Sequence, residues 1–124
     1  MANPTRIAIV DDDDSVRKSL QGLIRSAGLA ADVFPSAEEF LQSGHLRNAH
    51  ALILDVRMPG MNGFEVQHHL AKSECDIPVI FITAHGDEKM RAEALKDGAV
   101  DFLLKPFSED ALLTAIYTAL NSKP

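Results

Sequence analysis

A chain of 124 residues, 46% hydrophobic and with a formal charge of −6, makes one domain that hides roughly two-thirds of its unfolded surface. The acidic balance excludes sequence-independent nucleic-acid binding, which needs clustered Lys and Arg to displace counterions from phosphates. The single Cys75 has no internal disulfide partner, and no apolar stretch approaches the roughly 20 residues of a membrane span or makes a signal peptide, so a cytoplasmic protein is expected.

The first apolar run, Ile7-Ala8-Ile9-Val10, reads as a strand and ends on Asp11-Asp12. Val16, Leu20, Leu23, Ile24 and Ala27 then recur at helical spacing, with Asp13 or Asp14 placed to cap the start and Gly28 the end. Gly22 inside that helix costs about 1 kcal/mol relative to Ala, which close packing against a sheet would explain. A short strand over 31–34 follows. Ser36-Ala37-Glu38-Glu39 resembles a capping box opening a second helix to about residue 43, and 44–50 is connector.

Ala51-Leu52-Ile53-Leu54 is a third strand ending on Asp55. Met58-Pro59-Gly60-Met61-Asn62-Gly63 is dense in turn residues and gives a loop before a helix over about 64–72. The fourth strand spans 78–83 and ends on Thr83, and a helix over about 87–97 is closed by Gly98. The fifth strand runs over 101–105 to Lys105, and Ser108 caps a last helix carrying Leu112, Leu113, Ile116 and Leu120. Strands and helices in strict alternation, with continuous apolar strands, predict a doubly wound five-stranded parallel α/β sheet. The flavodoxin-like order 2-1-3-4-5 is expected, as one unit over 1–124.

In an open parallel sheet the functional crevice lies beyond the carboxyl ends of the strands, where Asp11, Asp12, Asp55, Thr83 and Lys105 stand. Two carboxylates about 4 Å apart repel by about 4 kcal/mol at a surface-like dielectric, so a proton or a cation must sit among the acids. Oxygen ligands favour a hard ion such as Mg²⁺, with Mn²⁺ a substitute, completed by phosphate oxygens. A carboxylate can be a nucleophile on phosphorus, and Asp55 on the middle strand is the best placed. Lys105 would neutralise one phosphoryl oxygen and Thr83 would hydrogen-bond another.

These segments resemble the receiver domain of two-component response regulators. The resemblance rests on Ile9-Val10-Asp11-Asp12, Leu54-Asp55-Val56-Arg57-Met58-Pro59-Gly60-Met61-Asn62-Gly63, Ile82-Thr83-Ala84 and Gly98-Ala99-Val100-Asp101-Phe102-Leu103-Leu104-Lys105-Pro106-Phe107, and it runs end to end. Thr83-Ala84-His85-Gly86-Asp87 is similar to receivers of the FixJ type. The resemblance implies that Asp55 accepts a phosphoryl group from the phosphohistidine of a sensor kinase. It implies Mg²⁺ on Asp12, Asp55 and the Arg57 backbone carbonyl, with Asp11 acting through water. Thr83 and Phe102, in place of the commoner Tyr, would form the switch, and Lys105-Pro106 a cis peptide. Arg57 and His85 would tune dephosphorylation. The output would be a transcriptional one, through an attached output domain or a downstream protein, without direct nucleic-acid or membrane contact by this domain. Phosphorylation would favour a homodimer through the fourth helix, fifth strand and fifth helix.

Taken singly, Thr83 is an ordinary β-branched strand residue, Lys105 a surface lysine and Phe102 core; their common place at strand ends lifts them. Asp13 and Asp14 suit a helix N-terminus. His68 and His69 diverge on a helix and His45 and His50 lie in a connector, which speaks against a histidine metal site. Met58, Met61 and Met90 suit gap filling, and Cys75 an inert thiol. Asp11-Asp12-Asp13 also resembles the first motif of haloacid-dehalogenase-type phosphatases, with Asp11 as nucleophile and Asp13 as general acid. That reading leaves Asp55 unexplained and lacks a later acidic strand end. Flavin binding fails because four acids, not a Gly-, Ser- and Thr-rich loop, follow the first strand. A phosphorylation-independent interaction domain would have no use for the full set of Asp11, Asp12, Asp55, Thr83 and Lys105. The expectation is a signalling switch, not an enzyme, with self-dephosphorylation its one hydrolysis.

Overall fold

Strands buried on both faces form the centre of the molecule, and the computed structural model describes residues 5–121. Strands β1 (Arg6–Val10), β2 (Ala30–Phe34), β3 (Ala51–Asp55), β4 (Val79–Thr83) and β5 (Asp101–Leu104) pair in parallel in the order β2-β1-β3-β4-β5. Helices α1 (Asp14–Ser26), α2 (Ala37–Gln42), α3 (Gly63–Lys72), α4 (Glu88–Lys96) and α5 (Glu109–Asn121) alternate with them. This is the doubly wound, flavodoxin-like sheet expected.

Successive strand residues point to opposite faces. Ile7, Ile9, Ile53, Ile80 and Ile82 therefore meet Leu20 and Ile24 of α1 and Leu112 and Ile116 of α5 on one side. Ala8, Val10, Leu52, Leu54 and Phe81 meet Phe40, Val66, Leu70 and Ala94 of α2, α3 and α4 on the other. Every residue of β3 and β4 is buried, which is why neither strand shows polar alternation.

Side-chain caps set the helix starts. Asp13 accepts from the Ser15 and Val16 N–H groups, leaving Asp14 in the first turn of α1. Ser36 accepts from Glu39 N–H, while the two-way capping box forms at Asn62 and Glu65, each side chain bonding the other's backbone N–H. The connector 44–50 holds a 3₁₀ turn, His45–Arg47. Lys105 lies just beyond β5, its N–H still donating to Thr83 O at 2.8 Å. Gly22 requires correction: a Cβ built there meets nothing within 4 Å, so α1 does not need glycine for close approach to the sheet.

Candidate functional site

The parallel register brings the strand ends together. Val10 pairs with Leu54, Asp55 with Ile82 and Thr83 with Leu104. Asp11, Asp55, Thr83 and Lys105 thus stand side by side at one edge of the sheet. Asp11, Asp12 and Asp55 each offer a carboxylate oxygen, all within 4.8 Å of one another.

Burial and charge make this cluster tense. Asp11 is 0% exposed and Asp55 4%, while Asp12 faces solvent. Lys105 Nζ donates to Asp11 Oδ2 at 2.9 Å and lies 3.8 Å from Asp55 Oδ1. Burial, and next the negative charge of Asp11, push Asp55 from an ordinary 3.8 to about 7, against the pull of Lys105. One ammonium faces three carboxylates, so the cluster has the charge deficit and the all-oxygen donor set that a hard divalent cation satisfies.

Thr83 and Phe102 both pack closely against Gly86. Phe102 is 2% exposed, and a Cβ at Gly86 would lie 2.8 Å from both Phe102 Cε1 and Thr83 Cγ2. Thr83 Oγ1 accepts from His85 N–H at 3.2 Å. The Lys105-Pro106 peptide is cis. The Arg57 and His85 side chains are exposed on the loops after β3 and β4. Asp13 stands outside the cluster, and its Oδ1 accepts from the Ser15 and Val16 N–H groups at the start of α1.

Several contacts escape sequence reasoning. Arg17 Nη1 donates to Asp11 O at 2.7 Å, bracing the acidic turn from α1. Arg91 of α4 donates to Phe102 O at 2.7 Å. Gly63 sits where a Cβ would lie 2.7 Å from the Asp55 carbonyl oxygen, so its lack of a side chain lets α3 start close against the end of β3. Of these, only Gly63 carried a signal, as the last residue of the turn-rich run.

Residues 7–117 match the model of the response regulator receiver domain. The chain belongs to that family. This receiver is 50% identical over 118 residues to response regulator protein TmoT of Ectopseudomonas mendocina, a match covering 95% of this chain and 54% of TmoT. It is 41% identical over 114 residues to transcriptional regulatory protein FixJ of Azorhizobium caulinodans, covering 92% of this chain and 54% of that protein. The crystal structure of FixJ-N aligns with a TM-score of 0.86 at 39% identity, covering 100% of this chain and 98% of that one. The receiver is therefore of the FixJ type. It spans about half the length of the curated relatives it matches. Among the described residues no helix is long and apolar enough to cross a membrane.

Proposed function

We propose that this receiver takes a phosphoryl group onto Asp55 from the phosphohistidine of a sensor kinase. One observation carries the reading: Asp55 sits nearly buried at the end of the central strand, inside a shared cluster of Asp11, Asp12 and Lys105. In the transfer an Asp55 carboxylate oxygen bonds to phosphorus, the P–N bond breaks and its electron pair leaves with the kinase imidazole. Lys105 would turn from Asp11 toward a phosphoryl oxygen, and Thr83 would donate its hydroxyl to another. Asp12, Asp55 and the Arg57 carbonyl would hold Mg²⁺, or Mn²⁺ in its place, with Asp11 reaching it through water. The cation would offset the charge between the carboxylates and the incoming anion. A groove of about 500 Å³ lined by Val16, Leu20, Lys105 and Phe107 opens beside the cluster and offers the kinase a partly apolar approach.

Drawing Thr83 toward the phosphoryl group would open space beside Phe102, and the α4–β5 face would repack and signal to an attached output domain or a downstream protein. Regulation of transcription is the output this favours, since FixJ is a transcriptional regulatory protein. Arg57 and His85 would tune how long the phosphoryl group survives, and the domain would work in the cytoplasm as a switch with no turnover beyond its own dephosphorylation.

Intact mass after incubation with acetyl phosphate tests the acceptor. A Mg²⁺-dependent, hydroxylamine-labile adduct that vanishes in Asp55→Asn is expected. No adduct, with no phosphate release either, favours a phosphorylation-independent interaction domain; steady release that depends on Asp11 favours the phosphatase.

A further inference from the structure

The loop 57–62 leaves the end of β3 and returns to α3, and its base is closed by Gly63 N–H donating to Val56 O at 2.9 Å. Its far end is held by a residue from a different part of the chain. Glu38, in the first turn of α2, accepts the Met61 N–H on Oε2 at 2.9 Å across 23 residues of sequence. The adjoining Gly60 has φ +77, and a Cβ there would lie 2.7 Å from the same Oε2. A glycine at this turn therefore serves two purposes at once: it adopts the left-handed backbone, and it leaves room for the carboxylate to reach the next amide. The Met61 bond holds Glu38 below the usual carboxylate range, so the acceptor is ionised at neutral pH.

We propose that Glu38 and Gly60 form a clasp that positions the loop carrying the Arg57 carbonyl, making Glu38 a positioning residue for the divalent-cation site. This rests on the receiver reading, in which that carbonyl is a cation ligand. A backbone carbonyl on a six-residue loop is a good ligand only if the loop is held in one conformation, and partners that orient ligands are commonly worth roughly tenfold or more in metal affinity. The clasp acts through the Met61 amide, not through net charge.

The test is Mg²⁺ affinity by calorimetric titration of the full chain, wild type against Glu38→Ala, Glu38→Gln and Gly60→Ala, with melting temperature measured beside it. Glu38→Ala should weaken Mg²⁺ binding roughly tenfold, with little change in melting, and speed hydrogen exchange at the Met61 amide. Glu38→Gln keeps a carbonyl acceptor for that amide and should restore most of the affinity. Gly60→Ala should resemble Glu38→Ala, and the double variant should be no weaker than Gly60→Ala alone, because both break one contact. Equal losses in Glu38→Ala and Glu38→Gln would mean that the carboxylate acts by its charge, and the clasp would be wrong. Unchanged affinity in Glu38→Ala would overturn it as well. If the wild type itself binds no Mg²⁺, the cation-site reading fails, and exchange at the Met61 amide still decides whether Glu38 holds the loop.

Discussion

The proposed nucleophile, Asp55, stands in a place that resists its ionisation. Nearly complete burial and the Asp11 carboxylate lift it to about 7, against an ordinary 3.8. A carboxyl whose folded value lies above its unfolded one binds more protons when folded, between those two values. The receiver therefore loses stability as pH rises from about 4 to about 7, and no more above that. Asp55→Asn removes this penalty. In metal-free buffer the variant should be more stable than wild type by about 1–2 kcal/mol at pH 8, with the gain shrinking toward zero near pH 4. Denaturant unfolding of both proteins across that range measures the difference, and a gain independent of pH would overturn the assignment. Mg²⁺ should narrow the gap, because it stabilises the native wild type through a ligand the variant lacks.

At the scale of the element, two glycines on the two faces of the sheet should respond oppositely to one change. Gly22 lies mid-helix in α1 with nothing within 4 Å of a built Cβ, so Gly22→Ala should stabilise by about 0.5–1 kcal/mol. Gly63 opens α3 with a built Cβ 2.7 Å from Asp55 O and 3.0 Å from Phe81 Cε1, so Gly63→Ala should destabilise by about 1–3 kcal/mol and slow phosphorylation by shifting Asp55. Thermal unfolding of the two variants checks both signs. The helical period already held the first answer. Leu20 and Ile24 are the buried residues of α1, and Gly22, two positions from each, falls on the opposite side. The second needed the fold, since the Asp55 carbonyl reaches Gly63 only once β3 and α3 are packed. The hold on α4 was equally illegible. That helix fully buries Ala94 and packs the partly buried Met90 against the same core, and polar ties add to them: Arg91 to Phe102 O at 2.7 Å, and Gln67 of α3 to Ala94 O and Asp97 O at 3.4 and 3.3 Å. An element with one fully buried side chain and a few hydrogen bonds is the one that a local change at Thr83 is expected to move.

For the whole molecule, the sheet order and the shared edge of Asp11, Asp12, Asp55, Thr83 and Lys105 were legible because buried parallel strands are written as unbroken apolar runs, whose ends mark the crevice. The ties from Arg17, Glu38 and Arg91 were not, because each joins a side chain to a backbone group, 6, 23 and 11 residues away in turn, that lies within reach only once the elements are packed. Beyond the site, the outer surface concentrates its large apolar exposure on successive elements: Leu95 of α4 at 38%, Leu104 of β5 at 52% and Tyr117 of α5 at 44%. Three partly exposed side chains fall well short of the roughly 800 Å² per partner that a stable interface hides, so the unphosphorylated protein should be a monomer. Phe102 is buried beside Leu104 and its carbonyl is the anchor of Arg91, so a repacked Thr83 and Phe102 would change both the shape of this face and the seat of α4. Phosphorylation should then bring two copies together across α4, β5 and α5. Sedimentation of the acetyl-phosphate-treated protein in Mg²⁺ should show a dimer, and Leu104→Glu should weaken it at least about tenfold by placing a charge at the centre of the contact. The same variant should still take phosphate on Asp55, because Leu104 is half exposed and stands outside the cluster of Asp11, Asp12 and Asp55. A fully phosphorylated wild type that sediments as a monomer would instead mean that the face serves an output domain or another protein.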